Sequence, residues 1–222
     1  MIIILTQCFP SRLGGIESLV SNLALGLGKK EKVIVFADRH HLFYDAIYDN
    51  QYKDQIIVRR TGGLKFFRRR KKIRELKPFI ESNQVTLVIA DTWKSLELSI
   101  DLLDKKNILT ICLAHGNELL SNNPKKKQQI IKIFNSANSI IANSQFTLNL
   151  VKKLIADKDH IKFVYPGAND LRQIQSDNFM DIKGNPVLLT LARLEKRKGH
   201  AVILKAVKKL TSDFPLIQYV IA

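Results

Sequence analysis

The sequence is short of acids, of cysteine and of long apolar runs, and each shortage narrows what the protein can be. Asp and Glu number 20 against 36 Lys and Arg, a formal net charge of +16. That imbalance favours a polyanionic partner: nucleic acid, an anionic membrane surface or a phosphorylated substrate. Cysteine occurs only at Cys8 and Cys112, too rarely for a disulfide framework. Both lie in or beside expected strands and read as reduced, largely buried thiols of a cytosolic protein. No apolar run approaches the roughly 20 residues that span a bilayer. The opening Met1-Ile2-Ile3-Ile4-Leu5 is too short for a signal-peptide core and lacks a basic start. A soluble or membrane-peripheral protein is expected. His40 and His41 lack the converging ligands a metal site needs and read as surface residues.

What is present is an alternation of apolar strands with amphipathic helices. Residues 2–6, Val33–Ala37, Ile56–Arg60, Val85–Ala90, Ile108–Ala114, Ser139–Ala142 and Ile161–Tyr165 are runs of strand length. Ile16, Leu19, Val20, Leu23, Ala24 and Leu27 recur at helical spacing, and further helices are expected over Lys94–Leu103, after Pro124 and after the cap residue Ser144. Asp38–Asp54 shows no clear period. The pattern is α/β, with residues 1–170 as one domain, 171–185 as a polar linker containing Gly184-Asn185-Pro186, and 186–222 as the start of a second. That start reads as a strand over Pro186–Ala192, a helix over His200–Leu210 and a strand over Leu216–Ala222.

The loops after the strands carry the candidate chemistry, because ligands of open α/β sheets bind beyond the carboxyl ends of strands. Arg193 follows the buried run 187–192, and Lys198-Gly199 stand just before the last helix. An anion there meets two cations and free helix N–H groups; a solvated basic turn is the plainer alternative. Gly14-Gly15 precede the first helix, where the missing side chains let the backbone approach a ligand, although such a pair is usually a tight turn. Glu17 suits the positive end of a helix in any case. His115 follows a strand end and precedes a glycine. Residues 59–77 hold ten Lys or Arg and one acid, Glu75, with Phe66, Ile73, Leu76 and Ile80 on one helical face. Arg68, Arg69, Arg70 and Lys71 there are either a surface for anionic lipid or the solvated side of a packed helix. Nothing accompanies the charge to suggest nucleic-acid binding.

Several of these segments resemble glycosyltransferase family 4, whose members have the two-domain GT-B fold. Arg193-Leu194 with Lys198-Gly199 resembles the family's donor-phosphate motif, Gly14-Gly15-Ile16-Glu17 its GG-x-E loop, and His115-Gly116-Asn117-Glu118 its His-Gly-x-Glu run. Ala142-Asn143-Ser144 after Ile140-Ile141 is similar to another family segment. Pro166-Gly167-Ala168-Asn169 departs from the family's Asn-Gly-Val-Asp, so no ligand contact is assigned there.

The resemblance implies a Rossmann-like amino-terminal domain followed by an incomplete second Rossmann-like domain. It implies a retaining transfer without a metal or cofactor, from a nucleotide-diphosphate sugar to a glycan or lipid-linked acceptor, as in cell-surface polysaccharide synthesis. Gly14, Gly15, Arg193 and Lys198 would hold the donor phosphates, His115 would be catalytic, and Glu17 and Glu118 would touch acceptor or sugar. No side chain presents itself as a nucleophile or general base. The family's Glu-x7-Glu motif is not present, so the chain is expected to be inactive unless the remaining carboxy-terminal part is supplied, by further sequence or by another chain. A cytoplasmic location follows, with the inner face of the membrane as the alternative. A competing reading is a non-enzymatic GT-B-like module that uses its basic surface on a membrane or polyanion.

Overall fold

The computed structural model describes residues 1–156, 159–168, 172 and 182–222, without the side chains of residues 65 and 66. They divide into two compact units, Met1–Ala168 and Asn169–Ala222. The first runs β1 (Ile2–Leu5), α1 (Gly15–Gly28), β2 (Val33–Asp38), α2 (Leu42–Gln51), β3 (Ile57–Thr61), α3 (Lys65–Glu81), β4 (Leu87–Ala90), α4 (Trp93–Leu96), α5 (Ile100–Lys105), β5 (Leu109–Ala114), α6 (Pro124–Ser136), β6 (Ser139–Ala142), α7 (Gln145–Leu154) and β7 (Ile161–Phe163).

The central strands β1, β2 and β4 are short and apolar because both of their faces are buried, whereas the edge strands β3 and β7 carry exposed residues. All seven pair in parallel in the order β3-β2-β1-β4-β5-β6-β7, with Ile2 opposite Val33 on one side and Leu87 on the other. This is the Rossmann-like order, with β1 central and the chain reversing its direction of travel after β3. Right-handed crossovers then place α1 and α2 on one face and α3 to α7 on the other. The core divides accordingly. Val20 and Ala24 pack with Ile4, Val35 and Ala37, whereas Leu76, Ile80, Leu96, Ile133, Phe134 and Val151 pack with Ile3, Leu5, Phe36 and Val88. The α/β expectation holds, and most elements fall within a residue or two of their expected places.

Two expectations need correction. The aperiodic stretch after β2 contains a helix, α2, capped by the His41 ring, which accepts from the Tyr44 N–H at 3.4 Å. The single helix expected over Lys94–Leu103 is two, α4 and α5. The break falls where the Glu97 carboxylate turns to Arg69, 2.5 Å away, and the Ser99 hydroxyl bonds back to the Leu96 carbonyl at 3.0 Å; such back-bonding competes with the helical ladder.

The basic stretch also sorts itself. Arg60 and Lys72 are buried and paired, Arg68 and Arg69 are half-buried and paired, and Arg70, Lys71 and Arg74 lie on the outer side of α3. Leu76 and Ile80 face the core and Ile73 packs against it; the Phe66 side chain lies outside the described residues, as do Asn169 and most of the expected linker.

The second unit contains β8 (Val187–Thr190), a 3-10 turn (Lys196–Lys198), α8 (His200–Leu210) and β9 (Gln218–Ile221). β8 and β9 are parallel, with Val187 opposite Gln218 and Thr190 opposite Ile221. Among its described apolar residues only Val220 is buried.

Candidate active site

In a parallel sheet all the carboxyl ends lie along one edge, so the loops after β1, β4, β5 and β6 share a rim. His115 stands at its middle. Its Nε2 lies 2.7 Å from the Asp91 carbonyl, just past β4, and its Nδ1 lies 3.2 Å from the Asn143 amide nitrogen, just past β6. A carbonyl only accepts, so Nε2 carries the hydrogen and Nδ1 accepts from Asn143. The amide is oriented in turn, because the Thr147 hydroxyl donates to Asn143 Oδ1 at 3.1 Å and the Ser144 hydroxyl lies 2.9 Å from Thr147 Oγ1. Gly116 follows with φ of 98°, and a Cβ there would press on Thr147 Oγ1 at 3.0 Å. Both the turn and the approach of Thr147 need glycine. With both ring nitrogens engaged, His115 is placed to fix the rim rather than to carry a proton. Glu118 accepts from the His115 N–H at 2.7 Å and so closes the same turn.

Under this relay sits a polar cluster that sequence reasoning missed. Asp91 is wholly buried. Its Oδ2 accepts from the Gln7 N–H at 3.1 Å and lies 2.7 Å from the Thr6 hydroxyl. Burial pushes this carboxyl above the ordinary range, and its hydrogen bonds and Lys72 only partly offset that. Lys72 reaches up from α3 to donate to the Thr6 carbonyl at 2.5 Å and to Asp38 at 2.6 Å. Burial lowers its pKa, against the pull of Asp38. No short-range pattern joins Thr6, Lys72 and Asp91; only the topology does.

The Gly14-Gly15 loop lies on the same rim. Glu17 is buried with its carboxylate folded over Gly14, where a Cβ would collide with it, while the space around Gly15 is open. Arg12, also missed from sequence, pairs with Glu17 at 2.9 Å with its side chain 49% exposed. The loop therefore presents a half-exposed cation and the open start of α1 together. Nearby Cys8 has its thiol pushed up to about 11, by burial first and then by the charges of Asp91 and Glu17, and so is held as the neutral thiol.

In the second unit Arg193 and Lys198 are both exposed at the turn leading into α8. Arg193 pairs with Glu195 at 3.2 Å, and Arg197 holds the same acid at 2.6 Å. The Arg197 hydrogen bond keeps that carboxyl below its ordinary value. Gly199, with φ of 76°, makes the left-handed step from the turn into α8. The described residues contain no group of three or more His, Cys, Asp or Glu suited to a metal, and no helix among them is long and apolar enough to cross a membrane.

Comparison with known proteins adds to this geometry. The sequence profile of Glycosyltransferase Family 4 matches residues 13–171. The crystal structure of Anabaena Alr3699/HepE in complex with UDP and glucose superimposes with a TM-score of 0.74 at 16% identity, covering 100% of this chain and 60% of that one. The apo lipopolysaccharide outer core galactosyltransferase WaaB gives 0.57 at 15% identity, covering 88% and 53%. A UDP-GlcNAc 2-epimerase from Methanocaldococcus jannaschii gives 0.59 at 13%, covering 99% and 65%. At such identities the likeness is one of fold, and this chain spans less than two thirds of each of these three proteins. No curated protein matches the sequence.

Proposed function

Because the chain belongs to glycosyltransferase family 4, which matches it over residues 13–171, we propose that it contributes to a retaining, metal-independent transfer of a sugar from a nucleotide-diphosphate sugar to a glycan or lipid-linked acceptor. The observation that carries the reading is the family match over a rim that holds Gly14, Gly15 and the fixed His115 together. HepE, whose structure contains UDP and glucose, supports a nucleotide-sugar donor. The epimerase likeness is one of fold, and the family match favours transfer.

In this reading, bond breaking builds charge on the leaving diphosphate. In the second unit Arg193, Lys198 and the helix start at Gly199 offset that charge electrostatically, and the diphosphate takes the place of Glu195, the resting partner of Arg193. His115 keeps the acceptor-side rim in register. Glu17 and Glu118, each committed to its own loop, shape that rim from behind.

The chain spans 60% of HepE, and we assign the rest of the donor site to a complementing segment or subunit. The test is sugar-nucleotide turnover by the 222-residue chain alone and by the completed protein. Turnover only in the completed protein is expected. Turnover by the short chain alone overturns the division of the site. Failure of the completed protein to bind or turn over any nucleoside-diphosphate sugar overturns transfer itself.

A further inference from the structure

Helix α2 turns acids inward and apolar side chains outward. Beside Tyr48, which packs on the core, its inward side carries Asp45, 3% exposed, and Asp49, in a two-pronged pair with Arg60 at 2.7 and 3.0 Å. Its outward side carries Phe43, Tyr44 and Ile47, exposed at 64, 58 and 51%. With 100° per residue, Phe43, Ala46, Ile47, Asn50 and Gln51 share the outer face, which holds no charged side chain. A surface helix ordinarily does the opposite. The β1–α1 loop is tied to the start of this helix, since the Ser11 hydroxyl lies 2.7 Å from Asp45. That loop projects Leu13, which is 89% exposed. The patch thus stands at the carboxyl end of β2, on the edge that holds Gly14, Gly15 and His115.

We propose that this face rests on an anionic bilayer, with Leu13, Phe43, Tyr44 and Ile47 entering the lipid interface. Charge favours that occupant: exposed Arg39 leads into the helix, Arg12 follows Ser11 in the loop tied to it, and the whole chain carries +16. Aromatic and aliphatic side chains flanked by cations are what an interfacial helix inserts. A second protein copy fits less well, because a stable interface takes roughly 20–30 residues a side and this patch offers about half a dozen. Docked this way, the chain holds its rim against the membrane. That selects a lipid-linked acceptor from the two classes above, a step that rests on the proposed function; the docking itself does not.

The experiment is co-sedimentation of the full chain with phosphatidylcholine vesicles, with and without phosphatidylglycerol. Binding to the anionic vesicles, weakening as salt rises, is expected. The double variant F43S/I47S should lower the partition coefficient by about thirtyfold. Position is read separately: Phe43→Trp fluorescence should be quenched by brominated lipid, whereas Phe67→Trp on α3 should not. Absence of vesicle binding overturns the proposal, as does equal binding by F43S/I47S or quenching confined to Phe67→Trp. A dimer in light scattering that F43S/I47S abolishes would give the face to a second copy and overturn it as well.

Discussion

Asn143 sets the hydrogen of His115: its amide donates to Nδ1 across 3.2 Å, which leaves Nε2 to donate to the Asp91 carbonyl. Long-range proton–nitrogen spectra should therefore show neutral His115 as the single Nε2–H tautomer. Asn143→Leu removes the donor and should allow both tautomers. It also strips Thr147 of its acceptor, and the variant should lose about 1–2 kcal/mol of stability in denaturant titrations.

Gly14 and Gly15 should respond in opposite directions to the same change. A methyl at residue 14 displaces the Glu17 carboxylate and breaks its pair with Arg12, so Gly14→Ala should cost about 1 kcal/mol. A methyl at residue 15 meets open space at a helical position. Gly15→Ala should gain about 0.5 kcal/mol through the unfolded chain. Urea midpoints of the two variants decide this.

Asp45 should give the fold an acid-sensitive clasp. Burial works to raise its carboxyl, but the Ser11 hydroxyl, the N–H groups of His40 and Ser11, and Arg60 together pull it below the ordinary value. A depressed carboxyl contributes stability that is present above its unfolded pKa, about 4, and that is lost as pH falls through its folded value. Asp45→Ala should cost about 3 kcal/mol at neutral pH, because it leaves the Arg60 guanidinium and several amides short of a partner. Melting curves below about pH 4 should then fall less steeply for the variant than for the natural chain.

Arg193→Ala or Lys198→Ala, in the completed protein, should each lower turnover on the order of a hundredfold, about 3 kcal/mol of transition-state stabilisation. Steady-state rates with a nucleoside-diphosphate sugar measure both. Normal rates in both the Arg193 and Lys198 variants would remove these residues from the donor site.

The central strands were legible because an apolar run buried on both sides leaves no other reading, and the helices with one inward apolar stripe, such as Ile16 to Leu27, were legible for the same reason. α2 was not, because most of its apolar residues point outward and its inward side sets two acids, meeting Arg60 from another strand, beside Tyr48. The loop motifs located Gly14, Gly15 and His115 by their place after strands. They could not reveal that Asn143, 28 residues on, holds the His115 ring, or that Lys72 of the basic stretch is buried under the rim. Arg60 and Lys72 look in sequence like their solvated neighbours; only the partners supplied by the fold set them apart.

The central place of β1 has a consequence for how the chain is made. β1 leaves the ribosome ahead of both its neighbours and can pair with β2 early, yet the other one, β4, ends at Ala90. Until then Ile2–Leu5 shows a bare parallel edge, apolar on both sides, which is the kind of surface that pairs with the wrong chain. A nascent polypeptide halted within α3 has its most sticky strand exposed and three strands of the seven-stranded sheet made, so synthesis through residues 62–90 is the interval in which a chaperone has most to protect.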